Sequence, residues 1–99
     1  MTTQLKMVGP VVSGMDGALA EAVVTAIEDD NPDLEVDVDD QGGYIRVQTP
    51  GRCRITRASL EDALGRTFHM HELEPSLAGF AGRMKVTDED IIWYLERED

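Results

Sequence analysis

The feature that most constrains this chain is a run of period-two alternation between residues 34 and 56, cut twice by tight-turn residues. Leu34, Val36 and Val38 interleave with Glu35, Asp37 and Asp39. After Gln41-Gly42-Gly43, Ile45, Val47 and Thr49 alternate with Tyr44, Arg46 and Gln48; after Pro50-Gly51, Cys53 and Ile55 alternate with Arg52, Arg54 and Thr56. Successive strand side chains point to opposite faces, so each run buries one side and wets the other. Three such runs joined by two short turns predict an antiparallel meander. On it, Arg46, Arg52 and Arg54 are expected to share the outer face.

Around that centre the periodicity changes. Val8-Gly9-Pro10-Val11-Val12 suits a first strand, with Pro10 indicating an edge position or an irregular start. Leu19, Ala22, Val23, Ala26 and Ile27 then recur at helical spacing, with Asp16 as N-cap and Asn31-Pro32 as the stop. A short helix carries Leu60, Ala63 and Leu64 after a capping-box-like Ser59 to Asp62, and Gly65 ends it. A second helical stretch has Met70, Leu73 and Leu77 on one side, His69 as N-cap and Pro75 limiting its length. Residues 79–82 are too glycine-rich for a helix interior and read as a loop or strand entry. Met84 and Val86 form a strand, residues 87–90 turn, and Ile91, Trp93 and Leu95 alternate in a closing strand. The order β-α-β-β-β-α-α-β-β is α+β, in one domain over residues 8–99 with residues 1–7 as a flexible N-terminal tail.

Charge narrows the function. Twenty acids against nine bases give a net charge of −11, which repels phosphate backbones and anionic lipid. Nucleic acid and membrane are therefore not expected partners, and no apolar run reaches the length of a transmembrane helix or forms a signal peptide. Cytoplasmic location follows, and the one cysteine, Cys53, reads as a small buried hydrophobe. Eight of the acids fall within residues 28–40, where no base occurs, either as a solvated face or as an electrostatic docking patch. Between Arg46 and Arg66, five arginines face only Glu61 and Asp62; they bind an acidic partner surface or neutralise the acidic strand beside them.

Catalytic templates are absent: no GxSxG, P-loop, GxGxxG or CxxC occurs, and no carboxylate pair is set in apolar surroundings. His69 and His71 stand two apart, not on one helical face, and no third histidine completes a zinc site. No cofactor or metal site is expected.

In this order and spacing, a set of individually weak pieces becomes specific. They are Val8-Gly9-Pro10, Asp30-Asn31-Pro32, Gly43-Tyr44-Ile45-Arg46-Val47, Thr56-Arg57, Leu60-Glu61, Leu64-Gly65-Arg66, Phe68, Glu72-Leu73-Glu74 and Leu77-Ala78-Gly79-Phe80-Ala81-Gly82. The chain resembles the effector (coupling or regulatory) proteins of soluble bacterial di-iron monooxygenases, and looks most like those of the toluene and alkene monooxygenase branch. Thr67 departs from a commonly seen proline and His69 from another polar cap residue. The resemblance implies a cofactor-free, non-catalytic subunit that binds a di-iron hydroxylase oligomer and tunes access, turnover and coupling, in a system completed by ferredoxin and reductase. It carries hydroxylase docking to Ser76, Leu77, Ala78, Gly79 and Phe80, with Val8, Gly9, Pro10, Asn31, Pro32 and Arg46 as further contacts. On the residues alone, Leu77 and Phe80 are equally core. The rival readings are a free-standing acidic module or inhibitor that binds a basic partner, and a small metal-dependent enzyme using His69 and His71.

Overall fold

The computed structural model describes residues 6–95. β1 (Met7–Ser13) leads into α1 (Gly17–Asp30), then β2 (Asp37–Asp40), β3 (Tyr44–Pro50) and β4 (Arg52–Thr56). α2 (Arg57–Leu64) and a 3-10 helix (Met70–Ser76) follow, and β5 (Leu77–Ala81), β6 (Arg83–Val86) and β7 (Asp90–Tyr94) end the order. The α+β class with antiparallel sheets is as the periodicity predicts. Lys6 and Met7, predicted as tail, are already tied in: the Lys6 carbonyl accepts from Gly51 N–H at 2.9 Å, and Met7 opens β1. The rest of the predicted tail lies outside the described residues.

The meander needs correction. β2 and β3 form the expected hairpin, but β4 does not pair with β3. The free edge of β3 is taken by β1, in a four-stranded sheet ordered β2-β3-β1-β5. With that edge occupied, the chain turns at Gly51, whose φ of +78° favours glycine, and β4 enters a second sheet ordered β4-β7-β6. Arg46 and the pair Arg52 and Arg54 are therefore on different sheets and share no face. Pro10 lies in an interior strand, not at an edge, and the irregularity of β1 lies near its end, as a register shift between Val11 and Val12 on the β5 side, not at its start.

One core joins both sheets to the helices. α1 buries the predicted Leu19, Ala22, Val23, Ala26 and Ile27, and Asp16 caps it by accepting the Leu19 N–H at 3.0 Å. Val8, Val12 and Val47 meet them from the first sheet, and Cys53, Ile55, Ile91 and Trp93 from the second. Each fully buried Val, Ile or Leu contributes about 1.5–3 kcal/mol. Asp30 fastens α1 to the start of α2: its carboxylate accepts from Thr56 N–H (2.7 Å), Thr56 Oγ1–H (3.0 Å) and Ser59 Oγ–H (2.7 Å). The strand predicted over residues 34–38 starts later, at Asp37, and Val38 is exposed; only Val36 of that apolar set packs against the core.

Candidate functional site

The first sheet has an inner side, on which Val8, Val12, Val47 and Thr49 are buried, and an outer side that carries Tyr44, Arg46 and Gln48. Strand pairing puts Asp39, Arg46, Val11 and Gly79 in one row across β2, β3, β1 and β5. Two predicted contact residues, Arg46 and Gly79, are thus brought onto one face with Val11 between them. Arg46 Nη2 donates to Asp39 Oδ2 at 3.2 Å, an exposed pair that contributes little to stability. The neutralisation reading of that arginine holds for this geometry.

The predicted docking segment falls largely on β5, a true strand: Leu77, expected on the second helical stretch, opens it, and residues 79–81, expected as a loop or strand entry, continue it. Its pairing places Leu77. Gly79 pairs with Val11 and Leu77 with Val12, so Ala78 is an extra residue bulged out of the ladder. The bulge turns Leu77 onto the core, where it packs half-buried, and leaves Ala78 exposed. Phe80 is 45% exposed despite its size. Ser76, half-buried, closes the 3-10 helix, whose start is fixed by His69 N–H donating to Glu72 Oε2 at 2.9 Å. Gly79 has no positive φ, and a Cβ built on it meets nothing within 4 Å. The fold does not require glycine there.

Other predicted contacts turn inward. Val8, Gly9 and Pro10 are all buried in β1; a Cβ on Gly9 would lie 2.1 Å from the Val47 carbonyl oxygen, so this glycine serves close strand packing. Asn31 is 7% exposed and its carboxamide is fully engaged: Nδ2 donates to the Ile27 and Arg54 carbonyls at 2.7 and 2.8 Å, and Oδ1 accepts from Arg54 N–H at 3.1 Å. The fold of the free chain encloses these four residues. Pro32, next to Asn31, is exposed.

Several other ionisable groups are paired within the chain. Arg54 pairs with Asp90 at 3.0 Å, and Arg57 with Glu61 at 3.0 Å. The Glu61 carboxyl is held below the usual range by the Phe68 backbone N–H and then by Arg57; that of Asp90 by the Thr87 hydroxyl and by Arg54. Burial pushes the Cys53 thiol up to about 11. His71 Nδ1 lies 3.0 Å from Glu74 Oε2. Among the described residues no three His, Cys, Asp or Glu side chains are grouped to hold a metal, and no helix is long and apolar enough to cross a membrane. A groove of about 260 Å³ between α1 and α2 is lined by Ala18, Glu21, Ala22, Thr25, Ala63 and Leu64, with Glu21 its one ionisable group.

Sequence reasoning assigns no contact role to Met15 or Tyr44, which with Val38 and Phe80 are the large apolar side chains left exposed among the described residues. Met15 falls between two regular elements, where periodicity carries no signal.

The family model described as MmoB/DmpM family matches residues 6–94. The chain is 46% identical over 88 residues to the effector subunit of the alkene monooxygenase system of Xanthobacter autotrophicus strain Py2, covering 89% of this chain and 85% of that protein. Two solved structures of a phenol hydroxylase–regulatory protein complex contain a chain similar to this one. The TM-scores are 0.77 and 0.69, with 25% and 29% identity, over 92% and 90% of this chain and 100% and 99% of those chains. The regulatory protein B of soluble methane monooxygenase shares the fold, with a TM-score of 0.68 at 16% identity over 97% of this chain and 70% of that one.

Proposed function

The chain belongs to the MmoB/DmpM family, and on that premise we propose that it is the effector subunit of a multicomponent monooxygenase, a non-catalytic protein that binds the hydroxylase component. The observation that carries this is its likeness, end to end, to regulatory chains solved in complex with phenol hydroxylase, joined to 46% identity with an alkene monooxygenase effector. The substrate class is an aromatic or alkene hydrocarbon, the hydroxylase a di-iron enzyme supplied with electrons by ferredoxin and reductase, and the compartment the cytoplasm.

Such a protein acts by differential affinity. If it binds one hydroxylase conformation more tightly than another, it shifts the population by that difference and needs no reactive group of its own. The docking surface we assign runs along β5, with Ser76, Ala78, Gly79 and Phe80 reaching the partner and Leu77 anchoring the strand to the core. Arg46 extends it across the outer face, and Pro32 is a further exposed contact. Two features support the assignment. Gly79 is a glycine the fold does not need, in a strand, where glycine weakens pairing unless another backbone must approach closely. Phe80 is a large aromatic left in water on the neighbouring position.

The test is a titration of this protein into the hydroxylase with its reductase and ferredoxin, following product formed per NADH. A rise that saturates near one effector per active site is expected. A flat response, with no complex at low salt, would overturn the effector reading in favour of an acidic module for another basic partner.

A further inference from the structure

Met15 is 94% exposed, far more than Val38, Tyr44 or Phe80, and Tyr44 is 42% exposed. Met15 and Tyr44 are carried by two loops locked to each other. Ser13 at the end of β1 pairs with Tyr44 at the start of β3, and Gly14 N–H donates to the Gly43 carbonyl at 2.9 Å. A Cβ on Gly14 would lie 2.7 Å from the Gly42 carbonyl oxygen, so the approach admits only glycine. The β2–β3 turn is closed by Gln41 N–H to the Tyr44 carbonyl (2.8 Å), and by Gly42 N–H to Asp40 Oδ1 (2.8 Å). Asp16 is held as the α1 cap. The platform is ordered by these bonds, yet nothing in the fold uses the Met15 side chain.

An apolar pair on an ordered platform is what a protein interface uses: methionine adapts to an irregular pocket, and tyrosine adds area at low entropic cost. Asp16 adjoins Met15 in the chain, and Asp39 and Asp40 end β2 at the turn before Tyr44, against the single Arg46 that pairs with Asp39, so the local charge is negative and a matching surface is basic at its rim. A second copy of this chain would bring the same three acids and a net charge of −11 against themselves, and an anionic membrane is repelled likewise. The position is also continuous with the β5 surface: Tyr44 lies on the outer side of β3 next to Arg46, which is in one row with Val11 and Gly79.

We propose that Met15 and Tyr44 form a second docking contact, an apolar knob that enters an apolar, Lys- or Arg-rimmed pocket of the hydroxylase; this rests on the effector reading above. The experiment measures hydroxylase affinity and product per NADH for Met15→Asp, Tyr44→Ser and Met15→Leu. Met15→Asp and Tyr44→Ser should raise Kd about tenfold or more, Met15→Leu should stay within about twofold, and urea midpoints should not move. Wild-type affinity should fall with added salt. If the wild type docks and couples but Met15→Asp binds within about twofold of it, the knob is refuted and the effector reading stands. If the wild type neither binds nor alters turnover, both fall. If sedimentation shows a wild-type dimer that Met15→Asp splits, the knob serves self-association and the proposal is overturned.

Discussion

Replacing Asn31 by alanine tests whether that residue is a contact or a clamp. Its carboxamide bonds both backbone groups of Arg54 on the outer edge of β4, standing in for a neighbouring strand, and its Nδ2 also reaches the Ile27 carbonyl at the end of α1. Three hydrogen bonds at about 1 kcal/mol each put the loss near 3 kcal/mol. It should not exceed that by much, because the Ile27 carbonyl keeps the Asn31 backbone N–H at 3.1 Å. For a domain of this size, 1 kcal/mol moves Tm by roughly 4–8 °C, so a fall of about 12–24 °C is expected. Urea unfolding followed by the buried Trp93 measures it. At a total stability of about 5–15 kcal/mol the variant stays folded at 25 °C, and its folded fraction should bind hydroxylase with unchanged Kd. Asn31→Asp sharpens the case: a carboxylate can still accept from Arg54 N–H but faces two carbonyls it cannot donate to. Its folded-state pKa is therefore raised, so stability should recover as pH falls and be lost as pH rises through that value. A loss below about 1 kcal/mol for Asn31→Ala, or a weakened Kd with an unchanged midpoint, would refute the clamp.

Leu77→Ala should cost about 1–2.5 kcal/mol, toward the low end for buried leucines, whereas Phe80→Ala should move the urea midpoint by under about 0.5 kcal/mol and weaken hydroxylase binding about tenfold; the reverse pattern would exchange their roles. Gly79→Trp should leave Tm within a few degrees, given the open space at its Cβ, and abolish the gain in product per NADH. The depressed carboxyls of Glu61 and Asp90 contribute stability that is complete above the unfolded values of about 4 and lost as pH falls through the lower folded ones. A Tm series from pH 6 to pH 2.5 should show that loss, and Glu61→Gln should flatten it. Cys53, buried with its thiol pushed up to about 11, should react with a thiol reagent only at the rate of unfolding, and rapid labelling of the native protein would contradict its place in the core.

The parts of the fold set by local chemistry were legible from the residues. The α1 stripe, the Asp16 cap, the Gly65 stop with its left-handed φ of +74° and the alternation in β3 all depend on neighbours within a few positions. Pairing was less legible because strands compete for edges across the whole chain. Alternation identifies β4 as a strand, but only the capture of β3 by β1 decides that β4 must look elsewhere. β5 was obscured for a related reason: glycine and alanine have poor strand propensity, and its register with β1 supplies what the side chains do not. The bulge at Ala78, which turns Leu77 onto the core, has no local signature. Within the candidate site, the β5 segment was named through the family resemblance, and the burial of Val8, Gly9, Pro10 and Asn31 depends on pairing that the residues alone do not show.

The two sheets have four edge strands, and the charges on them are not evenly spread. β2 carries Asp37, Asp39 and Asp40, β4 carries Arg52 and Arg54, and β6 carries Arg83 and Lys85. Charged side chains on an edge discourage pairing with a foreign strand or packing against a foreign surface. β5 alone has none: Leu77, Ala78, Gly79, Phe80 and Ala81 form an uncharged edge on a chain of net charge −11. Left bare, such an edge is an aggregation hazard, and two devices limit the hazard here. The Ala78 bulge interrupts the regular ladder, and the strong net charge keeps copies of the chain apart. Neither device blocks a larger partner whose own surface is locally complementary. Self-association is opposed by charge while docking is left open, and that asymmetry is what a subunit that must bind, act and release requires.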